Sequence, residues 1–280
     1  RGMTPQPAPS AAESAGSVAS APRPLGGVSH GRALAYGTGS IATTAFIVTP
    51  QILLLYFLTE TLGIPAAWAG LAILLPKLWE FLFDPAMGRL SDRTRSRWGR
   101  RWPWLMAGAL MFPLVFAQLF APPEFQDWRL SLAWVTLVFL LCTTAYTVFS
   151  IPFVTLPGEM SGDPAIRTRV VAWRMGFVGI GVLVAGGVAP LVVEEAGGGR
   201  DAYALMGMVL AALCAAVMLP AALAAWRFRS DTTAMVPVPD RPLRVLAGNP
   251  AYRWLWGTYV VQMAALAMNA AMLPYAVTHV

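Results

Sequence analysis

Residues 66–104 read AAWAGLAILLPKLWEFLFDPAMGRLSDRTRSRWGRRWPW, and this stretch decides the fold. Its first part, 66–88, is almost continuously apolar and has the length of about 20 residues that a helix needs to cross a bilayer. Three charged residues interrupt it, namely Lys77, Glu80 and Asp84. At about 100° per residue, all three lie on one face of a helix. Because a charge at mid-membrane costs at least about 2.5–3.5 kcal/mol, we expect that face to contact protein or water.

The composition of the whole chain agrees with a membrane protein. Of its 280 residues, 57% are hydrophobic and only 12% are charged, which is about half the charged share of a soluble domain. Disordered chains have the opposite bias. Two cysteines, Cys142 and Cys214, lie within apolar runs and indicate neither a disulfide nor a metal site. We therefore predict an all-α, polytopic membrane helix bundle, since a β-barrel would have short alternating strands.

Seven apolar segments are long enough to cross a membrane. They are Leu34–Leu58, Ala66–Gly88, Trp104–Phe120, Leu130–Phe153, Val170–Val193, Tyr203–Trp226 and Trp254–His279. Six closely spaced helices, a long basic connection and the start of a further set are the layout of a two-half transporter. The predicted parts are a disordered cytoplasmic tail (1–33), a six-helix half (34–226), a cytoplasmic loop (227–253) and the first helix of a truncated second half (254–280). We expect this piece alone not to transport.

The basic residues predict the orientation. The tail and the gaps after spans two, four and six hold sixteen lysines and arginines, whereas the opposite gaps hold only Arg129 and Arg200. Basic residues accumulate on the cytoplasmic side of membrane proteins. The amino terminus is therefore predicted to be cytoplasmic, in the inner (plasma) membrane of the cell. Because the arginines are spread over short gaps and form no basic domain, nucleic-acid binding is not expected.

The charged face of span two predicts a cation site. Glu80 and Asp84 offer carboxylate oxygens to Na⁺ or a proton, and Lys77 is the counter-charge when the ion is absent. Ionisable groups inside a membrane usually serve function. The alternative is an internal salt bridge that only fixes helix packing.

Polar residues on three other spans are candidates for binding a solute. Hydroxyls line one face of span one and one of span four, and span five carries Arg174 beside Trp173. The candidates are Tyr36, Thr43, Thr44, Ser150, Trp173 and Arg174. The hydroxyls equally suit contacts between helices, and Arg174 equally suits snorkelling or balancing the acids of span two. Since no serine or cysteine has a histidine as a base, we expect no enzyme activity and no cofactor apart from the coupling ion.

The gap after span two predicts a cytoplasmic latch. Asp92 lies there among six arginines, and charged hydrogen bonds of this kind tie helix ends together in one state and release them in another. The alternative is simple anchoring by positive charge, which leaves Asp92 unexplained.

The same gap resembles a known family. The pattern of Gly88, Asp92, Arg93, Gly99, Arg100 and Arg101 is similar to the loop signature of the major facilitator superfamily. Its lengthened form, with Asp84-Pro85 ahead of it, resembles the glycoside–pentoside–hexuronide:cation symporters. Further matches are Leu34–Gly37, Tyr146–Phe153 and the set Glu159, Asp163 and Arg167.

The resemblance implies a role for each matching residue. Glu80 and Asp84 fall on the family's cation carboxylates, Thr147 falls on a hydroxyl that helps them, and Lys77 and Arg174 fall on basic residues of helices two and five. The cytoplasmic gate would comprise Gly88, Asp92, Arg93, Arg100, Arg101, Glu159, Asp163 and Arg167. Departures are Thr44 and Ser150 in place of acids, and Val154 in place of a sugar-stacking tryptophan.

The function implied is cation-coupled (Na⁺ or H⁺) transport of a sugar-like or other small organic solute by alternating access. The expected partners are that solute, the lipid bilayer and the missing carboxyl-terminal half. Alternatives are a lysolipid-type carrier, a uniporter, and a non-transporting membrane sensor or scaffold.

Overall fold

A computed structural model describes residues 29–160, 164–226, 248–262 and 265. The chain forms two compact units, residues 1–230 and 231–280. The α-helices described in the first unit are α1 His30–Gly37, α2 Gly39–Thr49, α3 Ala66–Arg93, α4 Trp102–Leu119, α5 Trp128–Thr155, α6 Pro157–Met160, α7 Pro164–Leu183, α8 Ala189–Glu195 and α9 Gly199–Ala225. In the second unit, residues 250–262 are helical. No strand occurs among the described residues. The predicted all-α fold is therefore confirmed.

Six helical segments are long and apolar enough to span a membrane. They are His30–Leu54, Ala66–Arg93, Trp102–Leu119, Trp128–Glu159, Pro164–Glu195 and Gly199–Ala225. They coincide with the first six predicted spans, and the chain is a multi-pass membrane protein. Most of the predicted tail and cytoplasmic loop, and much of the seventh span, lie outside the described residues.

The observed helices extend beyond the predicted spans at polar residues. α3 continues to Arg93 and α7 begins at Pro164, whereas hydropathy placed the ends at Gly88 and Val170. Backbone hydrogen bonding continues where hydropathy falls, and proline at a first helical position fits the helix because its missing N–H has no partner there. The helices therefore continue past the apolar segments that hydropathy identifies.

Two of the spans contain wide turns. The first span passes through π-helical segments at Pro50–Leu54 and Phe57–Thr61, and the fifth passes through one at Val184–Val188. α3 carries prolines at positions 76 and 85, on either side of its charged residues. Each proline removes one backbone hydrogen bond. The helix is therefore less firmly hydrogen-bonded at both ends of the segment that contains Lys77, Glu80 and Asp84.

The core of the bundle forms around α5, which packs against both α3 and α4. The ring of Phe46 in α2 lies 5.2 Å from that of Phe112 in α4 and 6.1 Å from that of Phe139 in α5. By contrast, only 17% of the apolar window of α3 is buried in the bundle. The buried positions of α3 include Ala69 and Ala72, and small residues of this kind let neighbouring helices approach closely.

The α2–α7 contact depends on a glycine. A Cβ at Gly181 would lie 2.7 Å from Thr44 Cβ and 2.9 Å from the Ile41 carbonyl oxygen. Both distances are far below van der Waals contact, so no side chain fits without moving a helix. Gly179, two residues earlier in α7, has open space at the same position.

We expect Gly181→Ala to lower the free energy of unfolding by about 1–3 kcal/mol, because overpacking forces the helices apart. Gly179→Ala is the matched control, and it is expected to be neutral or slightly stabilising because alanine favours helix. Thermal unfolding of the purified protein in detergent measures both. Equal melting temperatures for the two variants would contradict the packing described.

Candidate cation and solute site

Two of the charged residues of span two form an ion pair within α3. Lys77 Nζ donates to Glu80 Oε2 at 2.9 Å, one helical turn along α3. The side chains are 40% and 20% exposed, respectively. The ammonium therefore compensates one of the two carboxylates directly, as the spacing predicts.

The second carboxylate is held by a neighbouring helix. Thr147 Oγ1, fully buried in α5, donates to Asp84 Oδ1 at 2.8 Å. Asp84 is thus directed from α3 towards α5 and away from lipid. Since Thr147 and Asp84 come from different spans, any change in their bond changes the contact between those spans.

A tryptophan that the sequence analysis did not select joins the same two helices. Trp79 Nε1 donates to Thr144 Oγ1 at 3.0 Å, and its ring stacks on Phe83 at 5.6 Å. Trp79 is next to Glu80, and Thr144 is three residues before Thr147. The two helices are therefore joined by a second hydrogen bond, about one turn from that between Thr147 and Asp84. Only the hydrogen-bonding capacity of an indole inside a membrane could have indicated it.

A buried arginine forms the centre of the predicted solute site. Arg174 is 9% exposed, and its guanidinium carbon lies 4.5 Å from the ring centre of Phe153. Its Nε has no hydrogen-bond partner, and it forms no ion pair with any described residue. Tyr36 reaches the same place, because its hydroxyl donates to the Phe153 carbonyl and its ring lies 4.7 Å from that of Phe153. Phe153 therefore joins Tyr36 to Arg174.

The other predicted solute residues are less closely grouped. Thr43 donates to the Ser40 carbonyl of its own helix at 3.1 Å, and Thr44 is buried against Gly181. Ser150 is 6% exposed on α5, and Trp173 is 38% exposed with its ring 6.4 Å from that of Phe177. Thr43 is therefore bonded within its own helix, whereas Thr44 packs against α7.

A charged cluster joins the helix ends at the arginine-rich side. Arg101, only 7% exposed, donates through Nε to Glu159 Oε1 at 2.8 Å and through Nη2 to Asp92 Oδ1 at 2.9 Å. Its Nη1 donates to Thr155 Oγ1, and Arg100 Nη2 also donates to Glu159 Oε1. One buried guanidinium thus ties the end of α3 to α5 and α6.

Three further gate candidates, Gly88, Arg93 and Arg167, lie on α3 and α7. Gly88 lies beside α5, since a Cβ there would be 3.9 Å from Ile151 Cγ2. Arg93 is exposed and forms no ion pair among the described residues, and Arg167 lies exposed in the first turn of α7. Asp163 lies outside the described residues. Thr155 was missed because a threonine at a helix end has no distinctive sequence signal.

An apolar helical bundle with charged residues inside its spans and a charged cluster at its helix ends defines a helical membrane-transport fold. Residues 35–280 match the family described as MFS/sugar transport protein. The chain belongs to that family, and the resemblance to the glycoside–pentoside–hexuronide:cation symporters is confirmed. Proteins of this family are transporters, in agreement with the expectation that the chain is not an enzyme.

Individual relatives cover part of the chain. An uncharacterized symporter of Synechocystis sp. is 39% identical over 51% of this chain and 27% of its own length. The inner membrane symporter YicJ of Escherichia coli is 29% identical, and YagG of the same organism, a proposed glycoside/cation symporter, is 30% identical; each match covers 66% of this chain and 40% of the relative. The matched part of the chain thus spans less than half of each of these relatives.

Replacing Arg101 tests the charged cluster. We expect Arg101→Gln to lower the free energy of unfolding by about 1.5–3 kcal/mol, because Glu159 loses one of its two charged hydrogen-bond donors and keeps Arg100. Arg89→Gln removes an exposed arginine of α3 that has no ion pair among the described residues, and a change within about 0.5 kcal/mol is expected there. Thermal unfolding in neutral detergent compares the two variants. An equal change in the free energy of unfolding for both would show that the charged cluster does not stabilise the protein.

Proposed function

We propose that this chain forms the cation-binding half of a secondary transporter that moves a sugar-like or other small organic solute together with Na⁺ or H⁺. The observation that carries the proposal is the hydrogen bond from Thr147 to Asp84, at 2.8 Å between α3 and α5. It supplies a carboxylate and a hydroxyl oxygen, both hard donors that suit a small cation or a proton. Kinship with YagG, a proposed glycoside/cation symporter, supports the same coupling.

The charges of the site set how much it can bind. With all three groups ionised, Lys77, Glu80 and Asp84 carry one net negative charge. One monovalent cation or one proton therefore neutralises the site. A neutral site is far cheaper to move through a medium of low dielectric than a charged one, so cation binding favours the step that carries the site past the membrane core.

The solute is proposed to bind near Arg174, Tyr36 and Ser150. A planar guanidinium offers paired donors to a carboxylate or to vicinal hydroxyls. Because Arg174 has no ion pair among the described residues, an acidic group on the solute would find an uncompensated positive charge. Phe153 supplies an adjacent aromatic surface for an apolar ring face.

Alternating access requires a second half that closes the other side of the site. We propose that a further set of helices, beginning within 254–280, supplies it. The cluster of Arg101, Asp92 and Glu159 would then act as a cytoplasmic latch, closed when α3 and α5 ends are together. In this arrangement the amino terminus would lie in the cytoplasm and the protein in the inner membrane, as the distribution of basic residues predicts.

Amide substitutions test the cation site. In proteoliposomes of the protein together with its second half, Asp84→Asn and Glu80→Gln are each expected to lower cation-driven uptake at least about tenfold, because hydrogen bonds to charged groups contribute about 1.5–3 kcal/mol. Uptake of a panel of radiolabelled methyl glycosides under a Na⁺ or a proton gradient is the measurement. Glu60→Gln, which removes an exposed carboxylate of the first span, is the matched control.

The outcomes separate the alternative functions. Uptake of equal rate with and without either gradient would identify a uniporter. Variants that insert normally and differ only in stability, with no uptake by any form, would identify a scaffold. Uptake of lysophosphatidylcholine in place of glycosides would identify a lipid carrier.

Replacing Arg174 tests the solute site. We expect Arg174→Gln to raise the half-saturating concentration of methyl glucuronide about tenfold or more, and that of methyl glucoside less, because only the former loses a charge-assisted hydrogen bond. Arg200→Gln removes an arginine at the opposite end of the bundle from the latch and serves as control. Equal effects on the two glycosides would show that Arg174 does not recognise charge.

A further inference from the structure

Four arginines beside Arg100 and Arg101 form no ion pair within the part of the chain that the structure describes. Arg100 and Arg101 are bound to acidic residues. The other four arginines of the same segment are exposed and form no ion pair with any residue the structure describes: Arg89, Arg93, Arg95 and Arg97. This end of α3 and the loop after it therefore carry a concentrated positive charge.

Three tryptophans connect that loop to the end of α9. The rings of Trp98 and Trp102 lie 5.3 Å apart, and those of Trp102 and Trp226 lie 5.6 Å apart. The guanidinium carbon of Arg97 lies 4.7 Å from the ring centre of Trp98. Trp98 and Trp226 are 42% and 51% exposed, so the row of rings lies at the protein surface. We call Arg95, Arg97, Trp98, Trp102 and Trp226 the arginine–tryptophan surface.

The position and chemistry of this surface match one kind of partner. It lies at the ends of membrane-spanning helices, where tryptophan rings occupy the boundary between acyl chains and headgroups. Guanidinium groups bind phosphate oxygens in pairs, and basic pockets between helices at this level bind anionic lipid headgroups. An acidic protein would satisfy the arginines but would not explain apolar rings at the acyl boundary.

We propose that an anionic glycerophospholipid binds to the arginine–tryptophan surface, with its phosphate on Arg95 and Arg97 and its glycerol and upper acyl carbons on the tryptophan rings. The bound lipid would also fix the loop directly ahead of Arg100 and Arg101. The proposal does not depend on the transport function.

The test uses the purified protein in nanodiscs of phosphatidylcholine with increasing fractions of phosphatidylglycerol. Lipid that stays bound after detergent washing is identified by mass spectrometry, and thermal unfolding is measured in parallel. We expect the wild type to retain phosphatidylglycerol and to be stabilised by it, and phosphatidylcholine to do neither.

Two variants separate a defined site from general attraction. The double variant Arg95→Gln/Arg97→Gln is expected to bind phosphatidylglycerol about 30-fold more weakly, from the contribution of each arginine near an anionic surface. Arg129→Gln is the matched control, because Arg129 also stacks on a tryptophan, 5.6 Å from the ring centre of Trp128, at the other end of the bundle. Its lipid binding is expected to equal that of the wild type.

Three results would overturn the proposal: equal retention of the two lipids by the wild type, unchanged retention by the double variant, or an equal loss in Arg129→Gln. Glycerol 3-phosphate is added in a separate arm; if it stabilises the protein as well as the lipid does, the site binds a free phosphate and the lipid assignment is wrong. Should the double variant not fold, Trp98→Leu, which keeps every charge, is expected to lose lipid retention, and full retention there would refute the role of the rings.

Discussion

A charge inside hydrocarbon must be compensated by the protein itself, and the arrangement of α3 follows from that constraint. Lys77 compensates Glu80 within the helix, whereas Asp84 depends on Thr147 in α5. The Lys77–Glu80 pair lies within α3 and does not attach that helix to a neighbour, whereas the Asp84–Thr147 hydrogen bond joins α3 to α5. The position of α3 against the core is therefore linked to the state of one carboxylate.

The same principle acts at the arginine-rich end with a different result. There the charged side chains lie close to water, so the free-energy cost of desolvating them is low. Arg101 is nevertheless buried among three hydrogen-bond acceptors. A guanidinium can serve several acceptors at once because its donors lie in a fixed plane. One side chain thus joins three helix ends, which no lysine could do with comparable geometry.

The sequence predicted the fold well because membrane spans have a strong signal, but it predicted the contacts unevenly. Helix periodicity placed Lys77, Glu80 and Asp84 on one face, and the structure has them there. It could not identify Trp79, Thr144 or Thr155, whose roles depend on the rotation of one helix against another. Nor could hydropathy find the ends of α3 and α7, since hydrogen bonding continues through polar turns. The roles assigned to the site residues stay predictions.

The prolines of α3 have a mechanical consequence. Each one removes a hydrogen bond from the backbone ladder, so the two prolines divide the helix α3 into three segments that meet at positions 76 and 85. The middle segment carries the three intramembrane charged residues, Lys77, Glu80 and Asp84. Bending at positions 76 and 85 would therefore reorient the charged segment while the flanking segments keep their contacts with the rest of the bundle.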